Sequence, residues 1–222
     1  DCSKNGRHGT IVTPRHNSWD TGKYGSRLYC DVPKRIEIPN ASEVFGTSNN
    51  SLTISVIGQL SNATTSYRNI LGALNADGTT WGYNIWFHYE INNLRQFASI
   101  RGSSGNSILS STTAFSSYND LGGPPICFTV SYKYEKNQVS IYRNNLSLSK
   151  TATQTRAHPY PGSPLYLGCG VNTSGTPTYG LFGWIHSVAI WQRGLTSSEI
   201  MHLHRYPWCI FNGYPGHREL KL

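Results

Sequence analysis

Charge is scarce in this sequence, acidic charge most of all: 14% of its 222 residues are charged, and 11 acidic residues stand against 19 basic ones. Glu and Lys are too few to clothe surface helices, whereas Ser, Thr, Asn and Gly abound, the profile of many short strands joined by polar turns. Apolar runs are short too. None approaches the ~18–20 consecutive apolar residues of a membrane helix, so no membrane insertion is expected, and with no secretory leader ahead of Asp1 the chain reads as soluble. The five cysteines, at positions 2, 30, 127, 169 and 209, are odd in number and form no C-x-x-C, which argues against zinc. Hydrolase signatures are missing as well. There is no G-x-S-x-G, no H-E-x-x-H, and no E-x-D-x-E of the kind that sets two carboxylates against one sugar. Glu90 stands alone in its segment and Glu37 lies between Ile36 and Ile38, so no catalytic residues emerge and the expectation is a protein that is not an enzyme.

What is present fits one all-β domain. A chain of 222 residues, 37% hydrophobic and 12% aromatic, can bury a substantial core but is too short for two sandwiches. Its formal charge of +8 is spread without a run of five. A dispersed excess of this kind favours acidic surfaces, such as an acidic protein lattice, lipopolysaccharide or an anionic polysaccharide. No nucleic-acid motif accompanies it, so specific DNA or RNA recognition is not expected.

Strand signals recur about every ten residues. Leu52, Ile54, Val56 and Leu60 alternate with Thr53, Ser55 and Gln59, the period of a half-buried strand. Ile126, Phe128, Val130, Tyr132 and Tyr134 repeat the pattern, Val139, Ile141 and Arg143 follow as an antiparallel neighbour, and Asn144-Asn145 fits a two-residue hairpin turn. Further strands are expected near 34–38, 68–74, 83–91, 94–101, 165–169 and 181–192, giving two packed antiparallel sheets. One helix is expected. Thr196-Ser197-Ser198-Glu199 reads as a capping box, Leu195 and Ile200 as a hydrophobic staple, Leu203 continues the inward face, and Pro207 stops the helix by Tyr206. Its expected place is over one end of the sandwich.

Aromatic side chains are the best lead to function. Sugar rings stack on flat aromatic faces while Asn, Asp and Ser bond their hydroxyls, and Asp77-Gly78-Thr79-Thr80-Trp81-Gly82-Tyr83-Asn84 gathers these types in one glycine-bounded loop. Asp77, Trp81, Tyr83 and Asn84, with Tyr118, Asn119 and Asp120, are therefore the candidate ligand-binding residues. Trp86, Trp184 and Trp191 fall within strands and are assigned to core or interface. His202 and His204 point some 200° apart on a helix and cannot easily share an ion. Cys127 and Cys169 read as packed thiols; Cys2 and Cys30 suit a disulfide if the first strands are neighbours, although reduced thiols are expected for assembly in cytoplasm. The sequons at Asn40, Asn49, Asn62, Asn145 and Asn172 arise readily by chance in so polar a chain.

Several segments, taken in order, resemble a known family. Asp1-Cys2-Ser3-Lys4-Asn5-Gly6-Arg7-His8-Gly9-Thr10, the pair Tyr24-Gly25-Ser26-Arg27-Leu28 and Arg35-Ile36-Glu37-Ile38-Pro39, then Cys127–Tyr132, Val139–Asn144 and the closing stretch from Leu181 follow the pattern of laminin-G-like, concanavalin A-like jelly-roll domains. The resemblance implies an all-β, two-sheet antiparallel jelly-roll sandwich with one short C-terminal helix over residues 1–206, followed by a tail at 207–222. It also implies a further strand ahead of Asp1, from a cleaved segment or a longer parent. Relatives often bind calcium at rim loops, for which Asp77 and Asp120 are the candidates; no other cofactor is expected. His186 stands where relatives carry an acidic residue after the Ile of the last strand, which weakens that inference.

Pro207-Trp208-x-x-Phe211 resembles a tail of jelly-roll domains in tailed-bacteriophage virion proteins. This implies a virion surface protein assembled in the bacterial cytoplasm: a capsid decoration protein, head fibre or tail-associated adhesin. Pro207, Trp208 and Phe211 would make the assembly contact, and the partners would be other virion proteins, copies of itself and host-surface polysaccharide. The alternative from another class is a free, lectin-like carbohydrate-binding module, with a glycoside hydrolase ranked below both.

Overall fold

Strands form where β-branched and aromatic residues alternate with small polar ones, and the chain folds into two sheets stacked face to face. The computed structural model describes residues 9–12, 19–22, 25–31, 34–39, 44, 50–60, 68–74, 81–90, 93–100, 108–110, 125–136, 138–144, 146–153, 164–171, 176–178, 180–207 and 209. In chain order the strands are β1 (Thr10–Val12), β2 (Trp19–Gly22), β3 (Gly25–Cys30), β4 (Arg35–Ile38), β5 (Leu52–Leu60), β6 (Arg68–Leu74), β7 (Trp81–Glu90), β8 (Asn93–Ile100) and β9 (Ile108–Ser110). They continue with β10 (Ile126–Lys133), β11 (Gln138–Arg143), β12 (Leu146–Thr153), β13 (Leu165–Leu167), β14 (Gly170–Val171), β15 (Pro177–Thr178) and β16 (Gly183–Trp191), and the helix α1 (Ser197–Arg205) closes the series.

Among the described residues, the first sheet runs β1-β4-β13-β6-β7-β8-β9 and the second β12-β11-β10-β5-β16-β3-β2, with β14 and β15 pairing separately. Every neighbouring pair is antiparallel. The core lies between the sheets. Leu28, Leu52, Ile54, Val56, Phe128, Val130 and Ile141 from the second sheet meet Ile70, Leu71, Ala73, Leu165 and Leu167 from the first. The hairpin forms as expected: Arg143 pairs with Leu146 around Asn144-Asn145, and Asn144 adopts φ 43°. Cys30, Cys127, Cys169 and Cys209 are free thiols, and burial pushes Cys30 and Cys169 up to about 12 and Cys127 to about 11, so these three are inert at neutral pH. Cys2 lies outside the described residues.

β3 and β4, adjacent in sequence, enter different sheets. Two expectations need correction. β5 is not half-buried: Thr53 and Ser55, on its face away from the core, are also buried. The cause is the helix, which covers the outer face of the second sheet rather than an end of the sandwich.

A strip of hydroxyls docks the helix. Leu195 N donates to Thr53 Oγ1 at 2.9 Å and Thr53 Oγ1 donates to Arg193 O at 2.9 Å, while Tyr142 OH meets Ser197 Oγ at 3.1 Å. Leu195, Ile200 and Leu203 pack on Tyr142 and Trp191. The cap is as the sequence predicts: Thr196 is the N-cap, with Glu199 N and Thr196 Oγ1 at 3.2 Å and Thr196 N and Glu199 Oε2 at 2.8 Å.

Candidate functional site

The outer face of the second sheet is covered where β10 and β11 meet the helix and changes character toward β3. On β16, Gly183 and Ile185 point inward, but so do Val188 and Ile190, because the pairing with β5 slips between Ile185 and Ser187. His186 is the extra residue of a bulge. The slip leaves Trp184 on the outer face, in one row with Tyr29 of β3 and Gln59 of β5.

These side chains form a stacked ladder. Tyr29 and Trp184 meet edge to face, centroids 5.4 Å apart at 70°. Arg27 lies over the Trp184 ring with its Cζ 4.4 Å from the centroid, and its Nη1 donates to Gln59 Oε1 at 2.7 Å. At the other end Lys34 Nζ sits 4.9 Å from the Tyr29 centroid and 3.6 Å from Asp31 Oδ2. Arg27, Tyr29, Lys34, Gln59 and Trp184 are all half-buried. Burial, with the Arg27 charge adding to it, holds His186 below its ordinary value, so this imidazole is neutral at pH 7. The ladder offers aromatic edges, an amide and two cations on a rigid sheet.

The outer face of the first sheet offers less. Glu37, Tyr166 and Gly72 occupy one cross-strand row. Tyr166 is only 7% exposed, held under Arg35 at 5.6 Å with Glu37 3.6 Å from that guanidinium, so its ring has little surface to give. Burial pushes its phenol up.

Of the residues expected to bind ligand, three fall among the described residues. Trp81, Tyr83 and Asn84 stand in β7, not in a loop: Trp81 pairs with Leu74, Tyr83 with the buried core residue Ala73, and Asn84 with Gly72. Asp77, Tyr118, Asn119, Asp120, Trp208 and Phe211 lie outside the described residues. Pro207 is half-buried and lines a cavity of about 10 Å³ with Ser55, Ile57, Cys127, Ser187, Ala189, Trp191 and Leu203. Small-molecule pockets measure hundreds of Å³, so this void between helix and sheet is no ligand site.

Among the described side chains, Asp31 pairs with Lys34, Glu37 with Arg35, and Glu199 with Arg193 and the helix cap, while Glu135 accepts from Ser51. No group of three or more His, Cys, Asp or Glu there could hold a metal ion. His202 is exposed, whereas His204 is buried against Thr129. The ladder itself escaped the sequence reading, which assigned Trp184 to core or interface; the period-two spacing of Arg27 and Tyr29 was its one visible trace.

No protein-family model matches the chain, and no curated protein matches it. Solved structures do. The NanB sialidase of Streptococcus pneumoniae matches with TM-score 0.62 at 14% identity over 79% of this chain, which spans only 27% of that protein. Domain 4 of AbnA, an extracellular arabinanase from Geobacillus stearothermophilus solved with arabinotriose, matches at 19% identity over 88% of this chain and 87% of that one, TM-score 0.60. The CBM40 of the Ruminococcus gnavus IT-sialidase matches at 16% identity over 88% and 96%, TM-score 0.60. At these identities the likeness establishes the fold, and the chain is a concanavalin A-like jelly-roll sandwich.

Proposed function

We propose that this protein is a non-enzymatic, lectin-like module that binds carbohydrate on the Arg27–Tyr29–Gln59–Trp184 face. The observation that carries this reading is the ladder itself, in which two aromatic rings and an amide stand in one row of a rigid sheet with a guanidinium laid over one ring and bonded to the amide. Such faces suit glycans, whose C–H groups pack against aromatic edges and whose hydroxyls bond amides and guanidinium groups. Two of the fold's neighbours lend support, one solved with arabinotriose and one a CBM40. The dispersal of the described carboxylates into separate pairs favours binding without hydrolysis.

A glycan array probed with the whole chain and with Trp184→Ala tests it. Specific hits are expected for the parent, weakened at least roughly tenfold in the variant, the equivalent of ~1.4 kcal/mol. A parent with no specific hit overturns the reading.

A second reading, the virion surface component, rests on a separate observation. Met201 at 51% and Tyr206 at 44% are the exposed large hydrophobics among the described residues, one in the helix and one at its C-cap. Met and Tyr side chains left exposed there suit a protein contact. The two readings are compatible, since contact and glycan would use different surfaces.

A further inference from the structure

We infer that the glycan bound by this face is acidic, a sugar bearing a carboxylate or sulfate group that Arg27 receives. This rests on the carbohydrate reading above and goes further by naming the class of ligand. Arg27 covers Trp184 at 4.4 Å, so an approaching sugar meets the guanidinium together with the indole. Gln59 fixes one end of that guanidinium through the 2.7 Å bond to Nη1. A planar fork, held flat by an aromatic ring and oriented by an amide, is already arranged to grip a planar or tetrahedral oxyanion, and little side-chain freedom is lost when it does.

Lys34 extends the same preference. Its ammonium lies 4.9 Å from the Tyr29 centroid, so both rings of the ladder carry a cation. Acidic groups are near: Asp31 stands 3.6 Å from Lys34, and Asp20 holds the cross-strand position opposite Arg27. The chain as a whole carries +8, and its long-range field favours an anion. His186, neutral beside Arg27, adds no charge of its own.

The test is an array of matched pairs: uronic-acid oligosaccharides against their methyl esters, and sulfated galactans against their desulfated forms. The acidic member of a pair should bind at least tenfold more tightly, and the preference should shrink as salt rises. Arg27→Gln should abolish the preference, and Arg27→Lys, which keeps the charge but not the fork, should restore only part of it. Lys34→Gln serves as a second variant that leaves the Trp184 stack intact and should weaken the acidic ligand alone. Equal binding of acidic and neutral partners overturns this inference and leaves the carbohydrate reading standing. Silence across the whole array overturns both.

Discussion

His204 shows what a single buried side chain can demand. Its Nε2 lies 2.8 Å from Thr129 Oγ1, and because the Thr129 hydroxyl donates to Ser55 Oγ at 2.8 Å, the ring nitrogen is the donor and carries the proton. Burial lowers this histidine from 6.5 to about 4. Between those values the unfolded chain takes up a proton that the folded one refuses, so the stability present above pH 6.5 is lost as the pH falls toward 4. The gap corresponds to as much as ~3 kcal/mol. Thermal melts from pH 7 to pH 4 should show a falling midpoint in the parent and a flatter profile in His204→Gln; parallel profiles would reject the assignment. Trp184 makes the complementary point about what one residue conceals. It shares odd-even parity with Val188 and Ile190, which face the core, so strict alternation sends it inward. Only the extra residue His186 turns it out, and a bulge leaves no mark in hydrophobic periodicity.

At the scale of elements, those fixed by their own neighbours in sequence were the readable ones. The helix begins and ends where Thr196, Glu199 and Pro207 say, and the hairpin turns where Asn144 takes a positive φ. Glu199 closes the cap and also grips Arg193 through two bonds of 2.7 and 3.1 Å, which keeps its carboxyl near 2. Both partners are well exposed, so water screens the ion pair and the cap supplies most of the stability that Glu199 adds. Glu199→Gln should therefore cost only about 1 kcal/mol in urea unfolding. A loss several times larger would mean that the ion pair, not the cap, holds this end of the helix. Where the helix rests was not readable. Thr53, Ser55, Thr129 and Ser131 look like the solvent side of two strands, but they are buried polar groups whose partners include Arg193, Leu195 and His204, far away in sequence.

The whole molecule extends that division between near and distant. Two antiparallel sheets were foreseeable from the count and spacing of alternating segments, but β16 lies between β5 and β3 through pairings that span more than a hundred residues, and no local pattern announces them. The ladder depends on those pairings, which is why the sequence pointed instead to a compact aromatic segment around Trp81. The same architecture separates two surfaces of the second sheet: the ladder on β3, β16 and β5, and the outward side of the helix that covers β10 and β11. If the chain rides on a virion, the helix side with Met201 and Tyr206 is the surface free to hold it without blocking the ladder. Stoichiometric recovery of the chain on purified particles is then expected, and Met201→Glu should release it, since Met201 is 51% exposed and its replacement leaves the core untouched. Glycan binding by the released variant should match the parent. Absence of the parent chain from particles would reject the virion reading, and loss of both properties in Met201→Glu would show that the two surfaces are not separate.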